Sequence, residues 1–217
     1  MNDSFDISAW VRITSDWVGS SIKIVDSLIT YPNENGEDED AYKVTASKLA
    51  TTLYRTLDIN HPKFFKMDDQ SKLGFVGSYI LLDDIRSELE ANDEAVALLF
   101  ANNSSSLKTD RKYQETVGSE GTGSPAKFVY TLPNIVIGEI CIYWKQCNET
   151  QFLVLSEFDS EALFKHAQIL FNESSCKHVL IGWTEVGNDE LDGLFVLLTK
   201  NEAGLATVND LSQLYTQ

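Results

Sequence analysis

Positive charge is what this sequence has least of. Seventeen lysines and arginines stand against 33 aspartates and glutamates, a formal net charge of −16. Phosphate neutralisation needs a basic patch, so no nucleic-acid partner is expected, and the same shortage argues against an anionic membrane surface. Taken alone, the acidity implies only solubility. Long apolar runs are also missing: none nears the ~18–20 residues that cross a bilayer. The opening Met1-Asn2-Asp3-Ser4-Phe5-Asp6 has no basic region followed by an apolar one, so no signal peptide is expected and a cytoplasmic location follows by default. Cysteine is scarce. Cys141, Cys147 and Cys176 are odd in number, and their spacings fit no zinc pattern, so neither a disulfide framework nor a metal site is expected. No cofactor is expected either.

Apolar residues, by contrast, are plentiful. The 217 residues are 43% hydrophobic and 11% aromatic, enough for one good core, and residues 1–217 are read as a single domain. Phe5–Thr14 partly alternates and is rich in β-formers; residues 21–29 suggest a second short strand. Residues 31–40 combine Pro, Asn, Gly and a block of acids, which marks an acidic loop. A helix is expected over 41–57, a break at His61-Pro62, and one long helix over 68–91, where Leu73, Val76, Ile80 and Leu81 recur at helical spacing. The apolar run 94–100 suits a strand buried on both faces of a parallel sheet. Residues 102–123 are polar and end in three glycines, Gly118, Gly121 and Gly123. No Lys-Ser/Thr follows them, so a flexible connection is expected there rather than a phosphate loop.

Residues 132–143 fit helix or strand equally. Strands are expected at 151–158, 178–183 and 193–199, and a helix at 159–172 capped by Asp159 or Ser160. This order is that of an α/β sheet. Along the 159–172 helix, Glu161, Lys165, Gln168 and Asn172 draw a polar stripe opposite Leu163, Ala167, Leu170, Phe164 and Phe171. His166 and His178 have the character of ordinary polar-face or strand-end histidines.

The stretch from Ser124-Pro125 to Asn134 resembles the Ser-Pro…Asn segment of β-ketoacyl synthases. The strand at 151–156, the helix at 159–172 and the Gly-rich strand ending in Glu185 follow in that family's order. The likeness covers roughly residues 60–200 and is best over 95–200. It implies half of a thiolase-like fold, a mixed five-stranded sheet with helices on its faces. Counting back from Glu185 places Glu157 where the family has its acyl-accepting cysteine. A carboxylate suits a helix N-terminus but is a far poorer acyl acceptor than a thiolate. The family's catalytic histidines lie in a second half-domain outside the resemblance, and His166 and His178 do not match them.

The resemblance therefore implies a non-catalytic subunit of the chain-length-factor kind, although those usually carry Gln at the lost-cysteine position. Short members look similar to components of bacterial aryl-polyene, polyketide or fatty-acid-type pathways. The implied partner is an active ketosynthase in a heterodimer, which would dock the acyl carrier protein while this acidic chain does not. Phe152, Leu153, Val154 and Leu155 would pair edge to edge with the partner's strand, and Phe128, Tyr130, Thr131 and Asn134 would approach its acyl pocket. Two alternatives remain at this point: an enzyme using Glu157 as a general base or decarboxylation aid at a thioester site, and an unrelated α/β binding module.

Overall fold

The structure is a computed structural model that describes residues 4–14, 18–20, 46–92, 94–118, 121–145, 147–187, 191–201 and 203–216. The strand expected at 21–29, the acidic loop at 31–40 and the first residues of the 41–57 helix lie outside them.

In chain order the elements are β1 (Phe5–Thr14), β2 (Val18–Ser20), α1 (Ala46–Thr56), a 3-10 turn (Pro62–Lys66), α2 (Asp69–Asp84), α3 (Arg86–Asn92), β3 (Val96–Asn102), α4 (Leu107–Gln114), α5 (Pro125–Phe128) with a 3-10 turn (Val129–Thr131), α6 (Ile135–Trp144), β4 (Cys147–Val154), α7 (Ser160–Glu173), β5 (His178–Val186), β6 (Leu191–Lys200) and α8 (Val208–Thr216). The expected mixed sheet is present. Five long strands and the three-residue β2 lie in the order β2-β1-β6-β5-β3-β4. β4, β3 and β5 run parallel, whereas β6 is antiparallel to β5, and β1 to β6.

β3 explains the middle of this arrangement. All seven of its residues are buried, as its unbroken apolar run requires of a strand covered on both faces. Leu98 and Phe100 pack into one core with α1, α2 and α6; Ala97, Leu99 and Ala101 pack into a second with α7 and α8. The alternation along one strand thus builds a three-layer sandwich. α2 is the helix at the centre of the first core, and small residues let it sit there. A Cβ on Gly74 would stand 2.2 Å from Val136 Cγ2 of α6, and one on Gly77 would stand 2.2 Å from the Phe195 ring of β6.

Three expected elements differ in the structure, and a fourth that the sequence left open is decided. The single helix expected over 68–91 is two. Asp68 accepts from Ser71 N at 2.9 Å and caps α2, which ends at Asp84. Ile85 then turns the chain, and Arg86 is drawn to Asp83 (2.9 Å) and onto the Trp144 ring (4.2 Å). The polar 102–123 stretch holds helix α4. The ambiguous 132–143 run is helix α6, ended by Lys145 in the left-handed region (φ 60°). The strand expected at 151–158 is displaced towards its N-terminus: β4 ends at Val154, and 155–159 form the turn into α7. α7 itself is as expected. Asp159 accepts from Ala162 N at 2.9 Å as its cap; Leu163, Ala167, Leu170 and Phe171 are buried; Glu161, Lys165 and Asn172 are exposed.

Candidate functional site

In open α/β sheets, ligands bind outside the carboxyl ends of the parallel strands. Here that end is tied shut. Glu185, at the end of β5, accepts the backbone N–H groups of Asn103 (2.8 Å) and Ser104 (3.0 Å) beyond β3. The Asn103 side chain donates to the carbonyls of Leu155 (3.1 Å) and Ser156 beyond β4. Asn102 closes its own turn through Ser105 O (2.7 Å) and Ser105 N (3.0 Å). Lys108 of α4 donates to Gly187 O (2.8 Å) and pairs with Asp69 (2.8 Å), and Thr109 donates to Asp68 (2.8 Å). The cavity left among Asp68, Gln70, Asn102, Ser106 and Thr109 is about 10 Å³, room for one water and no acyl chain.

Glu157 lies in the turn between β4 and α7, two residues before the cap, and is exposed. The carboxylate at the helix N-terminus is therefore that of Asp159. No side chain in this turn is a thiol.

The other expected site residues divide between the β4 edge and the α5–α6 segment. β4 pairs with β3 alone among the described residues. Phe152, half-buried, and Asn134, exposed, line one groove of about 280 Å³ with Ile135, Ile137, Cys141 and Thr150, between α6 and β4. Leu153 and Leu155 pack towards the α7 core, and the Leu155 N–H still reaches Asn102 O at 2.9 Å, just past the strand. Val154 is exposed.

α5 buries none of its residues. Phe128 stands 58% exposed, its ring 5.4 Å from Tyr113, and Val129, Leu132 and Ile142 are exposed apolar neighbours in sequence or on α6. Thr131 Oγ1 donates to Phe128 O (2.7 Å), and its carbonyl accepts from Ser106 (2.8 Å). Tyr130 alone turns inward: it is buried and donates its hydroxyl to Glu139 at 3.0 Å. Burial, then that hydrogen bond to the carboxylate, push its pKa well above the usual phenol range.

Glu139 is a feature the sequence reading passed over. It is 2% exposed, in an otherwise apolar helix, and pairs with Lys63 at 2.9 Å. The signal available was a lone acid within Ile135–Trp144. With Tyr130 it anchors the α5–α6 segment from beneath, so that Phe128 and Leu132 face outward.

No family model and no curated protein matches this sequence. Solved structures do. A ketosynthase in complex with its chain length factor from Xenorhabdus doucetiae is 12% identical, with a TM-score of 0.58 over 92% of this chain and 80% of that one. The ishigamide ketosynthase/chain length factor is 13% identical, TM-score 0.62, over 93% of this chain and 63% of that one. A complex of a type II polyketide acyl-carrier protein with its ketosynthase is 14% identical, TM-score 0.59, over 98% and 65%. This chain thus spans less than two thirds of the last two. At such identities the likeness defines the fold alone. That fold is the ketosynthase type, half of a thiolase-like α/β architecture.

Proposed function

We propose that this chain is a non-catalytic, chain-length-factor-type subunit. It pairs with an active ketosynthase in polyketide, aryl-polyene or related fatty-acid-type biosynthesis and helps shape the partner's acyl tunnel. The observation that carries the reading is the edge of β4, unpaired among the described residues, together with exposed apolar side chains on β4, on α6 and along residues 128–132: Val154, Ile142, Phe128, Val129 and Leu132. An unpaired strand edge is a template for another strand, and exposed apolar side chains grouped around it mark a protein interface. Residues 152–155 would extend the sheet into the partner, while Phe128, Thr131 and Asn134 would reach its acyl pocket, with Tyr130 bracing them.

The polar closure of the strand ends supports the non-catalytic part: the α7 turn holds no thiol, and the cavity at the strand ends, about 10 Å³, is too small for an acyl group. Catalysis through Glu157 gains no support: tuning a general base needs burial, and Glu157 is exposed. The −16 charge suits a division of labour in which the ketosynthase docks the acidic carrier protein. Residues 1–217 would act as one domain.

The test is co-expression with a ketosynthase encoded beside it. A stable 1:1 complex is expected, with product length altered by Phe128→Ala. Failure to co-purify, or malonyl-carrier decarboxylation by this chain alone that Glu157→Gln abolishes, would overturn the reading.

A further inference from the structure

At the opposite end of the sheet, where the parallel strands begin, three metal-ligating side chains converge. Glu88 projects from α3, Glu94 from the turn before β3, and His178 is the first residue of β5. Their ligand atoms lie within 4.8 Å of one another. His178 Nε2 stands 3.6 Å from Glu94 Oε2 and 3.8 Å from Glu88 Oε1.

We propose that Glu88, Glu94 and His178 bind a divalent transition-metal ion of the Zn²⁺ class. The acids alone would be an unremarkable surface pair. The histidine distinguishes the cluster: its side chain is 2% exposed, and its Nε2, aimed at the two carboxylates, makes no hydrogen bond, nor does the buried Glu94 Oε2 facing it. At 3.6 Å they are too far apart to satisfy one another. A buried nitrogen and a buried carboxylate oxygen left without partners cost free energy, and a cation between them would satisfy both. Ligand atoms about 2.0–2.1 Å from a tetrahedral zinc lie roughly 3.3 Å apart, so the two His178–carboxylate separations of 3.6 and 3.8 Å need close only a little, and the carboxylates, within 4.8 Å of one another, need draw together around the ion.

The surroundings are those of a built site. The other imidazole nitrogen, Nδ1, is within 2.9 Å of Thr199 Oγ1 on β6, the outer-shell contact that orients a ligating histidine. His178 is held by pairing with both Val96 and Thr199, and the Glu94 backbone by its N–H to Leu89 O at 3.0 Å. Burial holds the imidazole below its usual pKa.

Lys177 is the resident cation. Its ammonium contacts Glu88 and lies 3.8 Å from Glu94 Oε2. Its single charge offsets one of the two acids, and its hydrogen bond goes to Glu88, leaving His178 Nε2 without one. The side chain is 40% exposed, free to swing into solvent when a dication takes its place. The two carboxylates would balance the dication, with water completing the coordination. Such an ion would pin α3, the start of β3 and the start of β5 to one point, at the end of the sheet opposite the Glu185 tie.

The experiment titrates tag-free, chelator-stripped full chain with Zn²⁺ by calorimetry, and with Co²⁺ by visible absorption. One Zn²⁺ per chain is expected. Affinity should fall more than about a hundredfold, beyond a typical outer-shell loss, in Glu94→Gln and His178→Asn, and rise in Lys177→Met. Glu94→Gln keeps the question open to refutation even if His178→Asn fails to fold. Binding in wild type or in Lys177→Met that disappears when Glu94→Gln is added sustains the site. No binding in either background, or binding indifferent to Glu94→Gln, overturns it.

Discussion

The Glu185 carboxylate holds the backbone of Asn103 at 2.8 Å, and through Asn103 three strand ends become one unit. The carboxylate takes two N–H groups from the β3 turn, and the Asn103 amide passes the restraint on to the β4 turn. Charge-assisted bonds of this kind are the stronger ones. Glu185→Gln should destabilise the chain by ~1–3 kcal/mol, read as a lower urea midpoint with unchanged slope. A midpoint equal to wild type would show the tie to be dispensable.

A second prediction concerns the helix at the centre of the first core. Gly77→Ala would place its Cβ 2.2 Å from the Phe195 ring, and neither neighbour is at a free surface. Overpacking should cost ~1–3 kcal/mol, with Tm falling by about 2–4 °C per kcal/mol for a chain of this size. A Phe195→Leu partner substitution should restore part of the loss, because it removes the obstructing ring. Unchanged melting in Gly77→Ala would contradict the packing described.

Acid sensitivity should centre on Asp69. Burial acts to raise its pKa, but the hydrogen bond and charge of Lys108 (2.8 Å), joined by Lys112 (3.3 Å), outweigh it and hold the carboxyl below its ordinary value. A group with a depressed folded-state pKa contributes stability that is present above the unfolded value of ~3.9. That contribution is lost as pH falls through the folded value. Urea midpoints between pH 7 and pH 3 should therefore drop at the acid end, and the drop should be shallower in Lys108→Met. Parallel acid limbs in the two proteins would assign the sensitivity elsewhere.

The proposed interface makes its own prediction. Val154 and Ile142 are 54% and 55% exposed, so Val154→Glu and Ile142→Glu should leave the isolated chain's stability within ~0.5 kcal/mol. Together they should abolish ketosynthase co-purification. Retained pairing in the double variant would move the interface off the β4 edge.

Much of this architecture was legible in the sequence because it rests on local periodicity. The polar stripe on α7 and the two-faced burial of β3 follow from spacing alone. What was not legible depends on long-range contact. Nothing local breaks the 68–91 helix at Ile85; the break follows from Arg86 meeting Asp83 and the Trp144 ring. Residues Cys147 to Thr150 carry little strand signal and are strand because they lie alongside β3. The burial of Tyr130 against Glu139 is likewise set by packing and not by spacing. The meeting of Glu88, Glu94 and His178 depends on β3 and β5 being neighbours, with Val96 opposite His178, and no sequence interval announces it.

The open β4 edge also bears on how the chain must be made. A strand whose last residues are Phe152, Leu153 and Val154 carries no charge at that end to repel a wrong strand. Under the proposed pairing, a copy without that partner presents an apolar strand margin, and the chain's −16 charge would help to hold it off other copies. High salt, which screens that charge, should then turn an orphaned chain towards self-association. Synthesis in step with the partner would serve solubility as much as assembly.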